Sequence, residues 1–447
     1  MRRSERNAVV SDFRMSRDFK NIRFLGAEGI GMSALIRILE GEIQAGKLNK
    51  ETKISKSDLA YDKNDPLTDD IDLVIRSTAI AESDSDYSEL KTRGVDIWHR
   101  SDMLNFLSNS YKQIVVSGTH GKTSCSAILA HILIEAGIDP CFAVGGILKN
   151  YNSNGQFGQG EHFVLEGDES DKSFTKTNPY LALITNIEAD HLENYPGGIA
   201  EIQECFFDFL DRAEIKVICT DNSILAKYAT THPEAITYSL KELGDYDLNF
   251  SMQGKYNQLN ALGCIKAAEA LGVKQETALK AIKSFTGIKR RFELINKNYK
   301  NCKVYDDYAH HPTEVKALLE AALSLKPKKL LFVYQPHHPE RTQQFWKDFI
   351  EVFKDFPEEH KCLITDIYVA RSKHIDGVNS EKLVQEINNP SVKYLKPLLE
   401  GKTSQGNIQD MTAALKPGID SELEGSDYLF IVGAGDISKM VPAFSVK

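Results

Sequence analysis

Short apolar runs, several of them β-branched, recur along the chain and alternate with longer segments of a different period. The runs fall at residues 21–25, 71–75, 114–116, 163–166, 181–185, 302–305, 329–334, 363–368 and 428–432. Runs of this length, closed by turn-forming residues, predict strands. Between them the apolar spacing shifts toward the helical period. Ile128, Leu129, Ile132 and Leu133 predict one face of an amphipathic helix, another such helix runs through Leu39, and an Ala-rich helix runs through Ala270. Residues 42–70 are polar, rich in Lys and Asp and poorly periodic, so they read as loop with one short strand near Lys53 and Ile54. Strands alternating with helices predict an α/β fold built on open sheets.

Size and composition narrow the picture. A chain of 447 residues exceeds what one core sustains, so two or three domains are expected. With 54 Lys and Arg against 63 Asp and Glu the net charge is −9, which argues against general binding to nucleic acid or an anionic membrane. Seven scattered cysteines without a Cys-x-x-Cys pair read as reduced thiols of a cytoplasmic protein. No apolar run approaches the roughly 18 residues of a membrane span, so no membrane insertion is expected. Arg2, Arg3 and Arg6 have no apolar stretch behind them, which excludes a secretory signal. Residues 1–18 read as a flexible extension in which Met15 is a candidate start.

The candidate chemistry lies where predicted strands end. After residues 114–116 comes Ser117-Gly118-Thr119-His120-Gly121-Lys122-Thr123-Ser124 and then a helix. Glycines let backbone N–H groups wrap an anion, and the helix N-terminus adds partial positive charge. In such a loop Lys122 reaches the outer phosphates and the Thr123 hydroxyl serves Mg²⁺. The spacing is tighter than usual, because Val116 holds the place of the first glycine. Gly26, Gly29 and Gly31 form a second glycine turn between strand and helix, either a diphosphate site or a tight turn. Ser77 closes another strand on the ligand side. Residues 166–174, from Glu166 through Asp168, Glu169 and Asp171, are either a charged loop or a cation site. Residues 185–191 bring Glu188, Asp190 and His191 to a neighbouring strand end. Asn257 and Asn260 start the Ala-rich helix and either cap it or read an adenine edge. Lys289, Arg290 and Arg291 form a positive cluster. Farther on come Asp306-Asp307-Tyr308-Ala309-His310-His311-Pro312-Thr313-Glu314 and Gln335-Pro336-His337-His338-Pro339-Glu340-Arg341. The His-His pairs lack a closed set of four ligands, which disfavours structural zinc.

Taken in this order, these motifs, with Gly254 to Ala261 and Gly433 to Asp436, resemble the Mur ligases of bacterial cell-wall synthesis over most of residues 21–440. Asp-Glu-Ser-Asp at 168–171 and Asp-Asp-Tyr-x-His-His-Pro at 306–312 look like the alanine-adding branch, as does the absence of a lysine between His191 and Lys216. The resemblance implies three α/β domains: a Rossmann-like UDP-substrate domain (19–110), a central P-loop ATPase domain (111–294) and a Rossmann-like C-terminal domain (295–447). It implies ATP and Mg²⁺ as cofactors and UDP-N-acetylmuramate and L-alanine as substrates; the tripeptide-recycling branch and a P-loop ATPase of other function are the alternatives. Gly118, Thr119, His120, Gly121, Lys122, Thr123 and Ser124 would cradle ATP, with Thr123, Glu166 and His191 serving Mg²⁺. Asn257 and Asn260 would read adenine, and Arg291 and Asp307 would reach phosphate and ribose. Gly26, Gly29, Gly31 and Ser77 would hold the UDP diphosphate. Tyr308, His310, His311, His338 and Arg341 would face the amino acid and the acyl centre, leaving Lys122, Glu166, His191, His310 and Arg341 as the catalytic set. The chain departs from the family at His338, where an arginine is usual, so a pH-sensitive step in amino-acid use is expected around the ordinary imidazole pKa. The first domain is also short by about a strand and a helix relative to the family.

Overall fold

The computed structural model describes residues 19–57, 65–369, 374–397 and 408–445. The proposed extension at 1–18 and Asp58 lie outside the described residues. Three sheets carry the fold. The first holds β1 (Asn21–Leu25), β2 (Lys53–Ser57), β3 (Leu73–Arg76) and β4 (Asp96–His99), all parallel, in the order β2-β1-β3-β4. The second holds β5 (Lys112–Ser117), β6 (Cys141–Leu148), β7 (Ser153–Gln156), β8 (His162–Glu166), β9 (Leu181–Ile184), β10 (Ile215–Cys219) and β11 (Ile236–Tyr238), in the order β11-β10-β9-β5-β8-β6-β7. Only β7 runs antiparallel to its neighbour there. The third holds β12 (Glu293–Tyr299), β13 (Cys302–Asp307), β14 (Leu330–Tyr334), β15 (Lys361–Ile364), β16 (Val392–Tyr394) and β17 (Tyr428–Val432), in the order β12-β13-β17-β14-β15-β16. The three-domain α/β architecture expected above is the one observed.

The apolar runs become strands because both faces of each sheet are covered. In the third sheet Phe332, Tyr334, Phe430 and Val432 enter one core while Leu331, Val333, Leu429 and Ile431 enter another on the opposite face. A strand buried on both sides has no polar alternate positions, hence the unbroken runs. The Lys122–Glu135 helix departs from its amphipathic expectation. Thr123 through Leu133 are all buried, because the helix lies between the sheet and the Lys255–Ala270 and Gln275–Ser284 helices. The first helix, Ile30–Ala45, continues into the segment expected to be loop, since Glu42 is buried and accepts a hydrogen bond from the Tyr111 hydroxyl at 2.9 Å. The run at 363–368 leaves the sheet early: β15 ends at Ile364, and Tyr368 N–H turns to the Pro336 carbonyl at 2.8 Å.

The first two domains share one core, running from Ile22 and Phe24 through Ile38 to Val115, Leu133 and Phe206. They meet tightly at Gly155 of β7, where an added Cβ would lie 2.7 Å from Ala34 Cα and Cβ. Gly155→Val should therefore lower stability by about 1–3 kcal/mol, the usual cost of overpacking. The measurement is urea unfolding followed by far-UV circular dichroism; an unchanged midpoint would show that the interface yields freely.

Candidate active site

β5 runs between β9 and β8, so the three strands release their ligand-facing ends side by side. At the end of β5, Gly118 has φ 131° and Gly121 has φ 87°, in the region open to glycine. A Cβ on Gly118 would lie 2.2 Å from Thr185 Oγ1, and one on Gly121 would lie 2.9 Å from Asn260 Oδ1. The end of β9 pins the loop from below. Thr119 N–H donates to the Asn186 carbonyl at 3.0 Å, His120 N–H donates to Asn186 Oδ1 at 2.9 Å, and Thr119 Oγ1 accepts from Glu188 N–H at 2.8 Å. Gly121 is the N-cap of the Lys122–Glu135 helix, which turns that helix N-terminus toward the loop.

Lys122 folds back into this loop. Its Nζ donates to the Gly118 and Thr119 carbonyls at 2.8 and 3.0 Å and pairs with Glu169 Oε2 at 2.7 Å. Burial disfavours the ammonium, but the charges of Glu169 and Asp168 outweigh it and raise the lysine pKa. Burial likewise pushes the Glu169 carboxyl up, against the pull of Lys122. Burial also opposes ionisation of Asp168, yet Lys122, the Ser170 hydroxyl and Arg100 hold its carboxyl below the usual range.

Beside the lysine, Thr123 Oγ1 donates to Glu166 Oε1 at 2.9 Å, and Glu166 Oε2 accepts from Gly145 N–H at 2.6 Å. A Cβ on Gly145 would stand 2.6 Å from Glu166 Oε2 and 3.0 Å from Thr123 Oγ1, so bare backbone closes one side of an oxygen-lined position. Hydroxyl and carboxylate donors next to a phosphate loop suit a hard cation such as Mg²⁺. His191, in the left-handed region at φ 53°, places Nε2 3.5 Å from Asp190 Oδ2 and 4.0 Å from Glu169 Oε1. A cavity of about 120 Å³ is lined by Thr123, Glu166, His191, Arg291, His310 and His311, among others. Residues from the middle and C-terminal domains thus face one space.

A second cavity, of about 60 Å³, adjoins the loop and is lined in part by Ser124, Asn257, Arg291, Asp307 and Leu318. Arg291 borders both cavities, and its guanidinium lies 5.0 Å from the Tyr308 ring centroid. Gly254, not an asparagine, is the N-cap of the Lys255–Ala270 helix. Asn257 donates to the Gln253 carbonyl at 2.9 Å on the cavity wall, whereas Asn260 is buried behind Gly121 and lines neither cavity. Asp307 accepts from Phe292 N–H at 2.6 Å and Ala309 N–H at 2.7 Å, clasping the segment that links the two domains.

On the C-terminal side His311 is the N-cap of the Pro312–Ser324 helix, and Glu314 completes the capping box. Burial pushes both His310 and His311 down to about 4, so both rings are neutral at pH 7. Arg341 Nη2 crosses to Asp190 Oδ1 at 3.7 Å. In the first domain Gly26 packs against Ser77, where a Cβ would be 3.1 Å from Ser77 Cβ, and Gly29 is the N-cap of the Ile30–Ala45 helix. Arg100 stands beside Gly31 and reaches Asp168 Oδ2 at 3.2 Å, tying the glycine turn to the acidic loop. Neither cavity is lined by Gly26, Gly29, Gly31 or Ser77.

Sequence reasoning gave no role to Arg100, Gly145 or Glu314, and it placed Glu169 in the acidic run without pairing it with Lys122. Glu314 left a signal, three residues after its N-cap, in the pattern of a capping box.

Two family profiles match the chain, the Mur ligase middle domain over residues 116–251 and the Mur ligase glutamate ligase domain over residues 290–435. The UDP-N-acetylmuramate–L-alanine ligase of Carboxydothermus hydrogenoformans is 33% identical over 456 residues, covering 94% of this chain and 95% of that one. The chain belongs to the Mur ligase family. The enzyme of the same name from Aquifex aeolicus is 33% identical over 471 residues, covering 95% and 97%. Among solved structures, the UDP-N-acetylmuramate-alanine ligase of Thermotoga maritima superposes with a TM-score of 0.71 at 23% identity, over 95% of this chain and 98% of that one. A murein peptide ligase from Psychrobacter arcticus gives 0.61 at 21%, over 96% and 99%. At those identities the two structures speak for the fold.

In this Mur ligase His338 sits at φ 65°, its N–H donating to the Tyr368 carbonyl at 2.9 Å. Burial, and then the charge of Arg341, lower its pKa from 6.5. The expected titration around the ordinary imidazole value therefore moves to lower pH, and at pH 7 His338 is neutral while Arg341 carries the fixed charge. The KM for the amino acid should accordingly be flat in its His338 dependence above pH 7 and fall only below about 6.5, where the ring gains charge. His338→Arg should lower KM at pH 7 to 8 by roughly tenfold, since a guanidinium stays charged and binds a carboxylate in two places. Steady-state kinetics from pH 5.5 to 8.5 measure this; superimposable profiles of the two proteins would place His338 away from the carboxylate.

Proposed function

We propose that this Mur ligase joins L-alanine to UDP-N-acetylmuramate with ATP cleaved to ADP and phosphate, in the making of peptidoglycan precursors. The carrying observation is 33% identity, over nearly the full length of both chains, to ligases of that name, together with one cavity where the phosphate loop meets Glu166, His191 and the C-terminal histidines. The dependence on ATP and the free thiols among the described residues support the cytoplasm as its place.

A carboxylate is a poor electrophile, so the muramoyl carboxylate oxygen first attacks the γ-phosphorus and ADP leaves. The alanine amine then attacks the acyl carbon, and phosphate departs as the amide forms. Gly118, Thr119, His120, Gly121, Thr123 and Ser124 supply loop and helix N–H groups for the phosphates, and Lys122 exchanges its carbonyl and Glu169 contacts for phosphoryl oxygens. Adenosine is assigned to the smaller cavity, with Asn257 and Asp307 on its wall, Arg291 toward the phosphates and Asn260 supporting Gly121 from behind. Thr123, Glu166 and His191 would hold Mg²⁺, which when bound draws charge from the phosphate oxygens. Gly26, Gly29, Gly31 and Ser77 are assigned to the UDP diphosphate. Tyr308, His310, His311, His338 and Arg341 are assigned to the amino-acid side, where neutral His310 can hydrogen-bond without competing for the carboxylate as an ion. Domain boundaries at residues 110 and 294 divide these roles. Closure of the C-terminal domain onto the middle domain would keep water from the acyl phosphate.

Phosphate release measured over a panel of UDP-sugars and amino acids tests the reading. Release should require UDP-N-acetylmuramate and L-alanine together; release without an amino acid, or with a tripeptide in preference to alanine, would overturn it. For the metal, Glu166→Gln keeps shape but removes one negative charge from the cation position. The Mg²⁺ concentration for half-maximal rate should rise by about tenfold or more, and superimposed titrations would make Glu166 an ordinary loop residue.

A further inference from the structure

His120, Glu188, His311 and Glu314 meet where the phosphate loop faces the C-terminal domain. One nitrogen or oxygen from each of His120, Glu188 and His311 lies within 4.8 Å of the other two. His120 Nε2 stands 3.5 Å from Glu188 Oε2, and its Nδ1 stands 3.4 Å from Glu314 Oε1. His120 is 3% exposed and His311 is 5% exposed, and the Nε2 atom of each is buried without a hydrogen-bond partner. Both rings border the 120 Å³ cavity.

Two ligands held at 2.0–2.1 Å in a tetrahedron around Zn²⁺ stand roughly 3.3–3.5 Å apart. The gap between His120 and Glu188 has the length of one such edge. A histidine bound to a metal through one nitrogen ordinarily gives the other N–H to a carboxylate, and Glu314 occupies that place on His120. His311 Nδ1 accepts from Thr313 N–H at 3.3 Å, a long hydrogen bond. Ligation through Nε2 moves the ring proton to Nδ1 and gives up that one bond.

We propose that His120, Glu188 and His311 form a transition-metal site of the Zn²⁺ class, separate from the oxygen-lined position at Thr123 and Glu166, with its fourth coordination place open to the cavity. Two imidazoles and one carboxylate select Zn²⁺ or Co²⁺ over Mg²⁺, which prefers oxygen. Because two ligands come from the middle domain and one from the C-terminal domain, a bound ion ties the domains together at the phosphate loop. The site stands on geometry alone and does not depend on which amide the enzyme makes.

The test uses the metal-free full chain with Mg²⁺ in excess and no nucleotide, titrated with Zn²⁺ alone and with Co²⁺ alone. One ion should bind per chain, and Co²⁺ should show the intense visible bands of tetrahedral coordination. Glu188→Gln and His311→Asn should each weaken Zn²⁺ at least tenfold, and Glu314→Gln should weaken it ten- to a hundredfold. Asparagine preserves the helix N-cap at position 311, so loss of binding there reports loss of a ligand and not of the helix start. Glu166→Gln should leave Zn²⁺ affinity unchanged. No Zn²⁺ binding under excess Mg²⁺ would overturn the proposal, leaving a proton as the occupant between His120 and Glu188. Binding that Glu166→Gln weakens and His311→Asn spares would equally overturn it.

Discussion

The ion pair between Lys122 and Glu169 states the electrostatic problem around which the middle domain is arranged. Glu166, Asp168, Glu169, Glu188, Asp190 and Glu314 crowd the phosphate loop, and a nucleotide brings further negative charge to the same place. An unpaired buried charge is far more costly than a paired one. In this structure Lys122 is held by two loop carbonyls and one carboxylate, so its positive charge is kept in the loop before any phosphate arrives. Arg291, Arg341 and Arg100 supply further cations, each from a different segment, and Glu188 and Glu314 together outweigh burial and raise His120 to about 9, which adds another. The acidic surplus is what makes a divalent cation at Thr123 and Glu166 chemically sensible.

Those cations also explain how the domains are joined. Arg100 brings the first domain to Asp168, and Arg341 brings the C-terminal domain to Asp190. Thr313 donates to Glu188 across the same junction at 3.0 Å. The linking segment is locally strained: Arg290 and Phe292 both have positive φ, at 62° and 47°. Asp307 over-determines that turn by accepting from Phe292 and Ala309. A residue first read as a ribose contact thus fixes the path of the chain between domains. The first two domains are joined by apolar packing as well, with Gly155 against Ala34, beside the ion pairs Arg100–Asp168 and Lys176–Asp102.

The runs that became β14 and β17 were legible as strands because burial on both faces leaves no polar position to blur the pattern, whereas Arg23 interrupts β1 and Lys303 interrupts β13. The phosphate loop was legible because a short sequence contains strand end, glycines, lysine and helix start together, and local backbone chemistry permits little else. The edge strands β7, β11 and β16 were not anticipated, since Ser153–Gln156 is wholly polar or glycine and the others are three residues long, and β4, β6, β10 and β12 were not anticipated either, although β6 and β10 lie inside the second sheet. Nor could a pattern of apolar spacing show that the Lys122–Glu135 helix is covered on every side, which depends on two helices more than a hundred residues later. What the sequence alone determined was which residues stand at the ends of buried strands, because that follows from local periodicity and turn chemistry. Only the tertiary structure decided that Glu169 faces Lys122, that Asn257 and Asn260 part company, and that burial lowers the His338 pKa. Those outcomes depend on distances and on exclusion of water between segments far apart in the chain.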